Sequence, residues 1–292
     1  MLEPIIPADP IADLVDVLDL KQLSENTFQG RTQWMPHGRV FGGQVLSQSL
    51  IAAMRTVPVE RAVHSLHSYF LRPGDIHKEI VFEVENLRDG KSFSARRVKA
   101  LQDGQPIFVL SCSFQEPSGG VNHQEKMPTD LPDPESLPSA KDLLSKFDHP
   151  ATNYWSKARP FDLRHVGEPV YLMPAKTQDA NQLIWFRAIT PLPEDPQIQT
   201  AALTYASDYT ILESIMKRHR LSWAHPGLNT ASLDHAIWFH EKVNVNDWML
   251  YVQHSPAAQS GRGLALGSIF AKDGKLLATV TQEGMIRVPE YR

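Results

Sequence analysis

The sequence predicts an α+β chain made of two copies of one unit, each an antiparallel sheet wrapped around a central helix. Three observations carry this prediction. A proline-rich stretch divides the 292 residues near their middle, and about 150 residues is an ordinary domain length. On either side the same order recurs: a helix, a strand, then a meander turned by Asp-Gly pairs. Short strings also echo between the halves: Ser65-Leu66 with Ser232-Leu233, Asp103-Gly104 with Asp273-Gly274, and Gln115-Glu116 with Gln282-Glu283. A repeat of roughly a hundred residues or more means duplicated domains, not a solenoid.

The elements follow in order. Residues 27–33 are a strand candidate. Residues 43–56 carry Val45, Leu46, Ser49, Leu50, Ala53 and Met54 at helical spacing. Strand-like runs then cover 63–71, 79–87, 94–102 and 106–114, with Asp89-Gly90 and Asp103-Gly104 between them. Asp-Gly is a strong hairpin signal because glycine accepts the positive φ of a tight turn. Of the 22 prolines, Pro117, Pro128, Pro132, Pro134, Pro138, Pro150 and Pro160 punctuate the middle. Each removes a backbone donor, so this is a linker, with room for one short helix at 139–147. Beyond it, 183–189 is a strand candidate and 208–217 a helix, with Thr210 and Glu213 suited to a capping box. Strands follow at 230–240, 248–254, 263–271 and 275–287, with Asp273-Gly274 between the last two. The chain thus divides into 1–116, a linker at 117–160, and 161–292. One apolar helix with about five antiparallel strands is a hot-dog unit, here doubled. A lone unit exposes a sheet edge, and two units can pair theirs into one longer sheet.

Composition sets the boundaries of function. Against 33 Asp+Glu stand 29 Lys+Arg, a formal charge of −4. No basic field exists for a nucleic-acid backbone. With 42% hydrophobic and 21% charged residues the chain has a core to fill. The single cysteine, Cys112, excludes an intrachain disulfide and a multi-thiolate zinc site. No uncharged run reaches the ~18 residues of a membrane span. Residues 1–20 lack a basic leader, with Pro4, Asp9, Asp13 and Asp16 interrupting any apolar stretch. The chain ends without a peroxisomal tripeptide. The expectation is a cytoplasmic protein with neither nucleic-acid nor membrane partners.

Several chemistries lack their motifs. There is no phosphate loop, no zinc-binding H-E-x-x-H and no G-x-S-x-G nucleophile elbow. Gly261-Arg262-Gly263…Gly267 has the wrong spacing for a dinucleotide fingerprint. His64 with His67, and His235 with His240, lack further metal ligands at useful spacing. Cys112, mid-strand between serines, reads as a small hydrophobe rather than a nucleophile.

Four strings of the first half, VFGGQV at 40–45, VHSLHSYFLRPGD at 63–75, SFSARRV at 92–98 and PIF at 106–108, resemble the acyl-CoA thioesterase II (TesB-type) family. So do YASD at 205–208, LDHAIWFH at 233–240 and QEGMIR at 282–287 in the second half. The resemblance spans about 15–116 and 180–288 in the family's order. It implies a double hot-dog fold, hydrolysis of medium- to long-chain fatty acyl-CoA to free acid and CoA, and no cofactor. It also implies an Asp, a Thr or Ser, and a Gln holding the attacking water, which fall on Asp208, Ser232 and Gln282. Many members carry Thr where this chain has Ser232.

The three residue types suit that chemistry. An ionised Asp208 can take the water's proton, Ser232 donates and accepts, and Gln282 offers an amide donor and a carbonyl acceptor. The helix after Gly42-Gly43 is a candidate for the thioester oxyanion, since helix N-termini present free N–H groups. Gly43 and Gln44 are therefore candidates to line substrate. Plainer roles exist too: Asp208 as an N-cap, Ser232 bonding backbone, Gln282 an exposed strand residue.

The duplication adds an inference of its own. Residues 39–59 contain no Asp or Glu, so the first half lacks a counterpart of Asp208, and one active site per chain is expected. Ser65 matches Ser232, while Gln282 matches Cys112 or Gln115 according to register. His67, matched to Asp234 in one register, is the runner-up for an assisting role. Arg96, Arg97, Lys99 and Arg262 are candidates for the CoA phosphates. Trp223, Trp238, Phe239, Phe70 and Met54 are candidates for the acyl tunnel. Two rival functions remain: a hydratase or dehydratase of acyl thioesters using His67 or His235 with Asp234, and a non-catalytic acyl-CoA-binding module. By analogy with other hot-dog sheets, the expected assembly is a homodimer or homotetramer.

Overall fold

A computed structural model describes residues 6–291; Pro4 and the terminal Arg292, both weighed above, lie outside the described residues. The first half opens with α1 (Pro10–Leu18), which the sequence reading missed. Asp9 caps it by accepting from the N–H groups of Ile11 and Ala12, and Ile11, Leu14, Val17 and Leu18 form its buried stripe. Strands β1 (Lys21–Ser24) and β2 (Thr27–Gly30) form a hairpin, and α2 (Gly42–Met54) follows. Then come β3 (Ala62–Phe70), β4 (Ile80–Asp89), β5 (Phe93–Gln102) and β6 (Gln105–Gln115). At the β5–β6 turn Asp103 and Gly104 take φ of 49° and 73°, the left-handed pair that a two-residue hairpin requires.

Nearly all of α2 is buried, polar residues included, so each polar side chain needs a partner. Ser47 and Ser49 donate back to the carbonyls of Gly43 and Val45. Gln48 donates to the carbonyls of Val17 and Arg31. Gln44 bonds Gln48 and residues 31–33.

The middle stretch contains α3 (Ala140–Leu144), whose Ser139 and Asp142 form a capping box, and α4 (Pro150–Asn153). It is an ordered strap across the outer face of the second half. Met127, Leu131 and Leu137 pack on Trp185, Trp248, Leu250, Phe270 and Leu276, and Glu135 accepts from the Trp248 indole and pairs with Arg187.

The second half comprises β7 (Phe161–His165), β8 (Asn181–Ala188), α5 (Pro196–Ser207), α6 (Glu213–Arg218), β9 (Asn229–Ser232), β10 (Asp234–Phe239), β11 (Met249–Gln259), β12 (Arg262–Ala271) and β13 (Leu276–Arg287). Two expectations are corrected here. The central helix lies at Pro196–Ser207, capped by Asp195, not at 208–217. No Thr210–Glu213 capping box forms either. Leu212 is the N-cap of α6, the Thr210 hydroxyl accepts from Gln253, and the buried Glu213 carboxylate is held by His165 and Trp223.

Among the described residues one antiparallel sheet runs β1-β2-β4-β5-β6-β3-β10-β13-β12-β11-β8-β7, with β9 also on β13. The halves join where β3 pairs β10, His235 opposite Ser68 and Ala236 opposite His67. This is the edge-to-edge union of two hot-dog units expected from the sequence. Both central helices lie together within the sheet. They run antiparallel, so that Gly43 at the start of α2 meets Tyr205 at the end of α5; a Cβ on Gly43 would lie 2.4 Å from the Tyr205 carbonyl oxygen.

Candidate active site

The end of α5 and the start of α2 meet at Asp208. This residue is the C-cap of α5, the opposite of the N-cap role considered from sequence. A carboxylate at that end faces unpaired helix carbonyls, a costly place for negative charge. Its relief comes from the other half. The Gly43 N–H, at the positive end of α2, reaches the Asp208 carboxylate, and a Cβ on Gly42 would lie 2.5 Å from Asp208 Oδ2. One amide expected to serve a thioester oxygen is therefore engaged by the carboxylate.

Ser232 and Gln282 come from the sheet. The Ser232 hydroxyl donates to Asp208 Oδ1 at 3.3 Å, and Gln282 Nε2 donates to Ser232 Oγ at 2.9 Å. The run 230–240 is not one strand. β9 pairs β13 with Ser232 opposite Gly284, whereas β10 pairs it with Ala236 opposite Thr281. The sum of partner numbers rises from 516 to 517 between them, a one-residue slip at Leu233. In an unbroken strand Ser232 and His235 would face opposite sides. The slip turns both toward Gln282, and His235 Nδ1 bonds Gln282 Oε1. Behind it, Ser207 Oγ lies 3.0 Å from His235 Nε2.

Burial governs the electrostatics. It pushes the Asp208 carboxyl up to about 6, while bonds from Gln282, Ser232 and the Gly43 N–H pull the other way. Burial also drives His235 down to about 4, so its ring is neutral near neutrality. Gln282 and His235 are fully buried, while Asp208 and Ser232 keep partial exposure. The arrangement presents a basic carboxylate with oriented donors, flanked by Phe41, stacked on Tyr209, and by Phe70. Among the described residues no group of three or more His, Cys, Asp or Glu gathers to hold a metal ion.

The other candidates lie elsewhere. Gln44 points away, to Gln33, Gln48 and Arg31. His67 is exposed, edge-on to Trp238. Arg96 is buried, its guanidinium committed to Thr56, Asp89 and nearby carbonyls. Arg97 is exposed beside Glu85, Lys99 lies near the same carboxylates, and Arg262 pairs with Glu283. Of the tunnel candidates, Phe70 flanks the site; Trp223 is bound to Glu213, and Met54 sits at the far end of α2. Asp234 accepts from the Glu283 N–H and stands next to His235 on a strand, hence on the other face, so His235 and Asp234 do not form the carboxylate–histidine pair of a hydratase. Cys112 is buried and burial pushes its thiol up, which leaves it inert. The sequence reading missed the contact of His235 with Gln282 and of Ser207 with His235; the signal, Ser232 and His235 three apart, looked like opposite faces of one strand.

Comparison with known proteins agrees with this architecture. The family model described as acyl-CoA thioesterase matches residues 167–285, and that of the acyl-CoA thioesterase N-terminal domain matches 31–115. Acyl-CoA thioesterase 2 of Haemophilus influenzae is 37% identical over 97% of this chain and 100% of its own length. Human acyl-coenzyme A thioesterase 8 is 37% identical over 96% of this chain and 92% of that protein. The crystal structure of acyl-CoA thioesterase II TesB2 from Mycobacterium marinum superposes with a TM-score of 0.79 at 41% identity, covering 96% of this chain and 100% of that one. A hot-dog protein from Alicyclobacillus acidocaldarius, 21% identical, shares the fold with a TM-score of 0.76, covering 95% and 98%. By fold, length and sequence the chain belongs to the acyl-CoA thioesterase II family of thioester hydrolases.

Proposed function

We propose that this hydrolase splits medium- to long-chain fatty acyl-CoA into free acid and CoA by direct attack of a water held by Asp208, Ser232 and Gln282. The observation that carries the proposal is the convergence of Gln282 on Ser232 at 2.9 Å and of Ser232 on Asp208 at 3.3 Å, around a carboxyl raised to about 6. A base is most effective with its pKa near the working pH. Ionised Asp208 takes the proton of the attacking water, and the water oxygen bonds to the thioester carbon. The free positive end of α2, at Gly42, faces the carbonyl oxygen as its charge develops. Collapse of the tetrahedral intermediate breaks the C–S bond, and the departing thiolate of CoA recovers the proton from Asp208. The Ser232 hydroxyl acts as a water-orienting donor and acceptor, not as a nucleophile. The aromatic walls at Phe41, Tyr209 and Phe70 suit an apolar acyl group.

The same reading divides the chain at 1–116, 117–160 and 161–292, and it includes a cytoplasmic setting and a homodimer or homotetramer, which light scattering tests. The deciding experiment is a chain-length series of hydrolysis rates for wild type and Asp208→Asn. Wild type turns over best at medium to long acyl chains and Asp208→Asn loses at least ~100-fold in kcat. Undiminished turnover by Asp208→Asn, or an acyl-enzyme trapped on Ser232, overturns the proposal.

A further inference from the structure

The Asp208–Ser232–Gln282 set works only if the Gln282 amide points the right way. An amide can be turned end for end with little change in shape, exchanging a donor for an acceptor. With Nε2 toward Ser232, the serine oxygen accepts and its own proton remains available to Asp208 Oδ1. Turned over, Oε1 would face Ser232, draw the serine proton to itself, and break the bond to Asp208. What stands at the far end of the amide therefore decides the state of the near end. That group is His235 Nδ1.

We propose that His235 is the positioning residue of this active site: as the Nδ1–H tautomer it donates to Gln282 Oε1 and so fixes Nε2 on Ser232. The tautomer is set in turn by Ser207, whose Oγ lies 3.0 Å from His235 Nε2. Ser207 has one proton and two acceptors in reach, the imidazole nitrogen and the Thr204 carbonyl at 2.8 Å. The hydroxyl bonds the Thr204 carbonyl when it accepts from an Nε2–H. When it turns its proton to His235 instead, Nε2 is bare and the ring proton sits on Nδ1, the arrangement that the acceptor Gln282 Oε1 facing Nδ1 requires. The bonds then run in one direction, Ser207 to His235 to Gln282 to Ser232 to Asp208, and every donor has its acceptor. His235 is held rigidly enough for this task. It is fully buried, its two ring nitrogens bond Ser207 and Gln282, and its carbonyl accepts from Ser68 Oγ across the β3–β10 joint at 2.8 Å. The half that lacks the carboxylate thus helps to fix the orientation of the water-binding amide.

This inference rests on the proposed roles of Asp208, Ser232 and Gln282, and the test separates the two. Nitrogen NMR of histidine-labelled enzyme reads the tautomer: the His235 Nδ1 resonance falls in the protonated region and Nε2 in the bare one. Replacing His235→Leu lowers kcat about 100-fold, the usual cost of misplacing a catalytic group by about an ångström, with KM within about threefold. The variant His235→Asn returns an N–H to the place of Nδ1 and recovers most of that loss. Ser207→Ala removes the donor that keeps Nε2 bare, lets the ring populate the Nε2–H tautomer and lowers kcat about tenfold, and it decides the matter if the leucine variant does not fold. A proton found on Nε2 of wild type, or folded His235→Leu and Ser207→Ala enzymes within about twofold of wild-type kcat, overturns the inference. If Asp208→Asn is inactive in that case, the positioning role alone fails; if Asp208→Asn is itself active, the Asp/Ser/Gln roles have failed first.

Discussion

At the scale of single residues, the role proposed for Asp208 sets activity against stability. Its carboxyl is raised to about 6 from the 3.8 of an unperturbed Asp, so folding favours the protonated acid. For such a group the stabilising contribution is complete below about 4 and is lost as pH rises through 6. The proposed base, by contrast, is ionised mainly above 6. We expect kcat to fall with a one-proton slope as pH drops through about 6, measured on palmitoyl-CoA. Asp208→Asn should be more stable than wild type at pH 8, on the order of 1 kcal/mol, with the difference gone at pH 4; paired thermal melts check this. Ser232 carries a second expectation. Ser232→Thr keeps the hydroxyl and should retain activity within about fivefold, whereas Ser232→Ala should lose about 10–100-fold, with a steady-state kcat series as the measure. Asp208 and Gln282 were legible in the sequence because they sit inside specific strings, and Ser232 because it directly precedes one. Their mutual geometry was not, because the register slip at Leu233 is set by the pairing of β9 and β10 with β13; nothing in residues 230–240 announces it.

Among elements, the contact between the two central helices is the sensitive one. Gly43→Ala would thrust a methyl to 2.4 Å from the Tyr205 carbonyl and 2.5 Å from the Phe41 ring. Overpacking of this kind costs about 1–3 kcal/mol, and here it also pushes the Gly43 N–H off Asp208. We expect a lower denaturant midpoint together with a kcat loss larger than that of Gly104→Ala, in a surface turn. The legibility of elements followed how far local pattern matched tertiary demand. α2 and the strands β3, β4, β5, β6, β8, β12 and β13 were readable from periodicity and Asp-Gly. The helix α5 was not, because PQIQTAALTYAS carries little apolar contrast; a helix enclosed on all sides by the sheet needs no polar face. β11 runs past the 248–254 read from the sequence, because Pro256 sits at a bulge between His254 and Ala257, a place where a strand tolerates proline. The strap looked like a passive connection, since its few anchoring residues are spaced between prolines.

For the whole molecule, the joint of β3 with β10 makes one sheet of the two halves, and Asp208 relies on Gly43 across it. Calorimetry should therefore give a single transition with matching calorimetric and van't Hoff enthalpies, and two separated transitions would refute a unified core. The joint also governs how such a chain must be made. β3 emerges early, but the strand that covers its second edge begins only at Asp234, and the strap waits longer still for Trp248, Phe270 and Leu276. At ribosomal speeds of roughly 5–20 residues per second, the half-built chain spends about ten seconds or more with a bare strand edge in the crowded cell. An edge of this kind recruits any neighbouring strand, including the β3 of another nascent copy. The feature that gives the finished enzyme a single continuous sheet thus makes its synthesis the most aggregation-prone moment of its existence.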